Sequence, residues 1–447
     1  MRPSLLLAAA SFLAFCASGQ TPDDTEKGIA WPGFRGPDRN GVAPAANPPL
    51  EWGDAENLTW KLRLPGAGSS SPIVLGDRVY VACYSGYGGY LDDGGDPEEL
   101  AHHLVCVDRA TGAILWDSDL PGPVDFPPPQ VQLTEHGFAS PTPVTDGVAI
   151  FTYFGRAGVV AFDLDGDILW QTDLGKPDPN AEPPTNSVTQ GGRTIPLRWG
   201  TAASPLLHDG LVIVNASEQS NSIRALDKKT GELVWKRESS NLEGSAISPV
   251  IVGSAGEQVL IVVLGGEVWG MTPGTGETLW TVETGSRGGM SATPVFDSEH
   301  VFTFGGKGHA LRLGKNAAQT EGPDQSRITW TGANLSIPSP VLYDGRLFLV
   351  QMSGIATCIQ ASDGKILHEG RLEGRTSGVY ASPVLAGGRL YVVSRNRGTF
   401  VYSTDGEFKL LAHNELEDDS QFNASPAVVG TQLYMRSDKF LYRLDRS

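Results

Sequence analysis

The sequence predicts an all-β fold: an eight-bladed β-propeller of four-stranded antiparallel blades. The ring is expected to close by pairing an N-terminal strand with three C-terminal strands. Ser-Pro or Thr-Pro pairs begin at Ser71, Ser140, Ser204, Ser248, Thr293, Ser339, Ser382 and Ser425, in steps of 69, 64, 44, 45, 46, 43 and 43 residues. A near-constant step of that size marks one supersecondary unit repeated along the chain, each unable to bury its apolar face alone. The 55 glycines and 31 prolines, with little that resembles an amphipathic helix, suit short strands joined by tight turns. The unit opened by Ser425 has only three strands, while Asn57-Leu58-Thr59-Trp60-Lys61 reads as an orphan fourth strand far upstream.

The first element, residues 1–19, reads as a signal peptide: Arg2, an apolar stretch from Leu5 to Phe15, then Ala17-Ser18-Gly19 as a cleavage site. Cys16 offers a lipid anchor as the alternative to simple cleavage, against which stands the bulky Phe15 before it. Residues 20–55 form an N-terminal extension and residues 56–447 a single propeller domain. No segment after the signal is long and apolar enough to span a membrane. A net charge of −17 leaves no basic stripe for nucleic acid and opposes docking on an anionic membrane surface. The expected location is therefore extracytoplasmic, periplasmic or secreted, and the expected state a monomer.

The unit at 203–243 is the clearest: an apolar run, an Asp-Gly turn, a β-branched run, a polar loop, then IRALD, a KKTGE turn and LVWKRE. Alternation and turn chemistry make this four antiparallel strands in hairpin order. ALDKKTGELVW (Ala225 to Trp235) recurs as CVDRATGAILW ending at Trp116, AFDLDGDILW ending at Trp170 and GMTPGTGETLW ending at Trp280. An indole there buries a large apolar area between blades and needs a carbonyl for its N–H. Trp60, Trp116, Trp170, Trp235, Trp280 and Trp330 are thus expected as structural docking residues, with His368 and Leu410-Leu411 in the corresponding places of the next two units. This period, the Ala-x-Asp-x-x-Thr-Gly-x-x-x-Trp element and the Ser-Pro strand starts resemble the pyrroloquinoline-quinone-type (PQQ-type) repeat. Propellers of that type include quinoprotein alcohol dehydrogenases and the outer-membrane assembly lipoprotein BamB. WPGFRGPDRNGV (Trp31 to Val42) adds a resemblance to a group of secreted bacterial propellers, so the resemblance covers roughly residues 31–447.

In such blades the first–second and third–fourth strand turns share one face, and the second–third loops and blade links share the other. The first set is short here; the long insertions 84–102, 118–137 and 172–198 fall in the second, with 314–328 as the exception. Ornate loops on one rigid face mark it as the binding face. His136, Arg198, Trp199, Arg287, Met290 and Tyr380 precede innermost strands and are candidates for the funnel mouth, suited to an anionic or sugar-like ligand. Asp92, Asp93 and Asp96 in one loop, with Glu415, Glu417 and Asp418 in the link from blade seven to blade eight, form a candidate acidic rim. Its spacing matches no EF-hand, so calcium there is the lesser reading beside a solvated loop.

No Gly-x-Ser-x-Gly, His-Glu-x-x-His or Cys-x-x-Cys-His motif is present. Quinoprotein dehydrogenases carry an adjacent Cys-Cys pair, which this chain lacks, so no catalytic residue is carried over from that resemblance. Cys83, Cys106 and Cys358 remain after signal removal, an odd count. Neighbouring strands make a Cys83–Cys106 bridge an open alternative to buried free thiols. The reading is a non-catalytic protein-binding or scaffold propeller, with no cofactor expected and a protein or polysaccharide partner on the long-loop face. The alternative is a PQQ-dependent oxidoreductase with an atypical site.

Overall fold

The computed structural model describes residues 29–88, 94–122, 137–175, 187–190, 193–196, 200–242, 245–254, 256–285, 291–314, 322–335 and 337–446. Eight antiparallel blades follow in sequence, at 73–121, 144–172, 206–238, 250–283, 295–335, 341–371, 384–414 and 427–445. The eighth is completed by Leu58–Arg63, which pairs with Phe440–Asp445, so the N-terminal strand closes the ring. In blade five the second and third strands are continuous, His300–Arg312; the segment folds back on itself, with the Leu313 N–H donating to Glu299 O at 2.8 Å.

The Ser/Thr-Pro repeat has a direct physical role. In six of the eight units the amide of such a residue donates to the hydroxyl of its counterpart in the next blade: Ser71 to Thr142, Thr142 to Ser204, Ser204 to Ser248, Thr293 to Ser339, Ser339 to Ser382, and Ser382 to Ser425, all at 2.8–3.0 Å. A belt of side-chain acceptors thus ties the starts of successive innermost strands together around the channel. Proline next in the chain removes a backbone donor at each such start. In blade two the belt uses Thr142, two residues beyond the Ser140 at which the repeat was counted.

The docking tryptophans take the expected place. Each indole N–H reaches a carbonyl of the following blade: Trp60 to Arg109, Trp116 to Leu164, Trp170 to Lys228, Trp235 to Pro273, Trp280 to Gly314 and Trp330 to Ala361, at 2.8–3.2 Å. The turn above the ring must be glycine: at Gly112, φ +75°, a Cβ would lie 2.7 Å from Trp60, and at Gly231 2.5 Å from Trp170. The three cysteines among the described residues are free and buried. Cys83 packs in the core facing blade eight and Cys106 in the core facing blade two, so opposite faces of one sheet keep them apart.

Residues 29–57 are part of the ring. Ile29–Trp31 adds a fifth strand to blade one, antiparallel to the innermost strand, and Val42–Ala43 adds one to blade seven, in parallel. Between them the chain crosses the channel at the short-turn end: Pro32 O accepts from Thr145, Gly41 O from Leu385, and the Asn47 N–H donates to Gly430 O. Arg35, 1% exposed and with φ +64°, reaches the carbonyls of Asn40 and Pro340. Burial lowers its pKa to about 9.

Candidate functional site

Blades seven and eight meet without a tryptophan from the last strand of blade seven, Leu410–Asn414. The N-terminal chain fills the groove instead. Tyr391 Oη donates to Pro48 and Pro49 carbonyls, Asn414 holds Leu50 O and the Trp52 N–H through its side-chain amide, and Trp52 stacks on Tyr391 at 6.3 Å. Above this wedge, on the long-loop face, a pocket of about 290 Å³ opens. Its walls come from Trp52, the blade seven loop at Arg395-Asn396, the link Glu415 to Phe422, and Met435.

Tyr380 is the one funnel candidate inside the described residues, and the Arg395 guanidinium lies 3.4 Å above its ring. Such stacking adds a cation–π attraction that holds the guanidinium over the ring. Arg395 also donates from Nε to Asn423 Oδ1 at 2.7 Å, so its position is fixed by two neighbouring links. His136, Arg198, Trp199, Arg287 and Met290 lie outside the described residues, as do Asp92 and Asp93. The 172–198 insertion contains a hairpin, Ser187–Gln190 with Arg193–Pro196.

Of the acidic rim, Glu415 and Asp418 line this pocket together with Asp419. Asp418 accepts from Tyr442 Oη at 2.6 Å and from Ser420 Oγ at 2.7 Å. Burial works against its charge, but bonds from Ser437, Tyr442 and Ser420 outweigh it and hold the carboxyl below the usual range. Asp419 pairs with Lys439 at 2.7 Å, and Glu415, 71% exposed, lies 3.5 Å from His413. Glu417 meets the N-terminal chain through its backbone: its N–H donates to Asp54 and its carbonyl accepts from Lys61. Asp96 belongs to blade one, where it caps the short helical turn Pro97–Glu99 through the Glu98 N–H.

Three residues here carried no signal in the repeat. Arg395 and Asp438 come from the consecutive blades seven and eight, and Trp52 joins Arg395 only because the N-terminal chain enters the groove between them. Burial raises the Asp438 carboxyl to about 6, against the pull of Arg436 and Arg395. Among the described residues no group of three His, Cys, Asp or Glu side chains is gathered as a metal site.

Fold and repeat define the class: an eight-bladed propeller built from PQQ-type repeats. Residues 101–328 and 315–447 match the family described as outer membrane protein assembly factor BamB, and the chain belongs to that family. BamB of Yersinia pestis is 20% identical over 335 residues, covering 67% of this chain and 79% of that protein. Polyvinylalcohol dehydrogenase of Sphingopyxis sp. is 25% identical over 301 residues, covering 66% of this chain but 41% of the relative, so this chain spans less than half that enzyme's length. The crystal structure of BamB from Moraxella catarrhalis superposes with a TM-score of 0.59 at 14% identity, over 87% of this chain and 99% of that one.

Proposed function

We propose that this chain is an extracytoplasmic scaffold that holds a protein partner on its long-loop face, in the pocket between blades seven and eight. The observation carrying this reading is the pocket itself, built where the ring borrows its wedge from the N-terminal chain and rimmed by Glu415, Asp418 and Asp419. Family membership supports a protein-binding role, since the family's description is of an assembly factor. The rim suits a basic or polar partner segment, with association slowing as salt rises, because exposed charges are screened beyond about 8–10 Å at 0.1–0.15 M. A photo-crosslinking residue at Asn396, with one at Asp209 on the opposite face as control, tests the face. Cross-links from 396, weakened by Glu415→Gln with Asp418→Asn, are expected; capture confined to 209 would overturn the assignment.

The second reading, a PQQ-dependent oxidoreductase, is favoured by the likeness to polyvinylalcohol dehydrogenase. Titration of PQQ with calcium into the purified protein separates the two. Weak or absent heat and no dye-linked alcohol oxidation are expected of a scaffold, whereas sub-micromolar binding with turnover would establish the enzyme.

A further inference from the structure

We propose that Ser85, His103 and Asp117 form an acyl-transfer site for small carboxylic esters on the long-loop edge of blade one. The proposal does not rest on the binding role above. The three residues lie on consecutive strands, Arg78–Ser85, Ala101–Asp108 and Ile114–Pro121. The register sets Cys83 opposite His103 and Val105 opposite Asp117. Strand alternation therefore places Ser85, His103 and Asp117 on the same face as Cys83 and Val105, toward blade eight. Ser85 Oγ lies 2.7 Å from His103 Nε2, and His103 Nδ1 lies 3.0 Å from Asp117 Oδ1.

The order of these contacts is that of a nucleophile, a base and a carboxylate that orients the base. With Asp117 accepting from Nδ1–H, the neutral imidazole presents the Nε2 lone pair to the Ser85 hydroxyl, a tautomer assigned from its partners. The His103 side chain is 11% exposed and that of Asp117 31%, so the base is held while the carboxylate keeps contact with water. Directly after Ser85 the chain turns at Gly86, φ +80°, where a Cβ would lie 1.9 Å from Glu99 O; only glycine fits, and the turn is fixed. Three rigid strands of one blade thus hold the group, and a fixed scaffold is what a reacting geometry needs.

The step balances within the site. Ser85 Oγ bonds to the acyl carbon as its proton passes to His103 Nε2. The bond from that carbon to the alcohol oxygen breaks, and the departing alcohol takes the proton. Water then attacks the acyl-serine with His103 again as base, releasing the acid and restoring the hydroxyl. Ser85 is half-buried at the end of its strand, beside the Gly86 turn, which suits a small ester with a good leaving group. An aryl acetate is the example.

The test treats the purified full-length protein with a fluorophosphonate probe and with p-nitrophenyl acetate. Mass spectrometry should place the phosphonyl label on Ser85, with a burst of about one p-nitrophenolate per chain. Label and burst should vanish in Ser85→Ala and fall at least tenfold in Asp117→Asn, a change at a partly hydrated side chain that should leave melting unchanged. An unlabelled Ser85 under conditions that saturate a serine esterase would overturn the site. So would labelling or a burst unaffected by Asp117→Asn, since Asp117 would then not orient the base and the three residues would not act together.

Discussion

Six blade junctions carry their own wedge, and two borrow one. In blade eight and in blades one to five, each last strand supplies a tryptophan whose N–H is held by the next blade's turn. After blade six the residue is His368, and the following blade sends Phe408 back instead, 5.9 Å from His368 and 5.7 Å from Phe348. After blade seven the wedge is Trp52, from residues distant in the chain. A repeat can thus lose its most characteristic residue without opening the ring, provided apolar volume arrives from elsewhere. The loop that brings Trp52 also forms a wall of the pocket, so the departure from symmetry creates a surface that the regular junctions do not.

Truncating a regular wedge should have the largest effect. Trp60→Ala should destabilise by about 3–5 kcal/mol in equilibrium denaturation, because it removes a mostly buried indole at the closing junction. A cost under about 1 kcal/mol would mean that the closing strand holds without it. Next comes the turn glycine. Gly112→Ala meets both a positive φ and Trp60 at 2.7 Å, whereas Gly406→Ala meets a positive φ with nothing nearer than 3.6 Å. The first should cost about 2–3 kcal/mol and the second about 1, the difference being the ring contact. Equal losses would show that backbone strain alone explains these glycines.

A further effect is read by pH at the borrowed junction. Asp438 titrates near 6 when folded, above its unfolded value of 3.8, because burial penalises its charge. Its contribution to stability is therefore complete below about pH 4 and lost as pH rises through about 6. The decline should be on the order of 2 kcal/mol. Asp438→Asn should flatten that decline; an unchanged pH profile would place the titration elsewhere.

The regular part of the ring was legible because each element repeats: Ser-Pro starts, Thr-Gly turns and terminal tryptophans announce themselves by period. Leu58–Arg63 was legible as the missing fourth strand for the same reason. The borrowed wedge was not, since Trp52 sits in a proline-rich extension with neither helical nor strand periodicity, and its role depends on a groove formed 340 residues later in the chain, around Tyr391. The pocket was half visible: Glu415 and Asp418 stood out as a charge cluster, whereas Arg395 has meaning only once Tyr380 and Asn423 are beside it. Ser85, His103 and Asp117 match no linear motif, and strand alternation was the one sequence signal that could have set them on a common face.

Hydrogen exchange on Trp52→Ala, compared with Trp116→Ala, tests most directly whether residues 47–57 serve as the wedge of the junction between blades seven and eight. The expected result is faster exchange in Leu410–Asn414 and Arg389–Val393 for Trp52→Ala, with blades two to five as protected as before. Trp116→Ala should instead loosen blades one and two. Unchanged protection of blades seven and eight in Trp52→Ala would contradict the account.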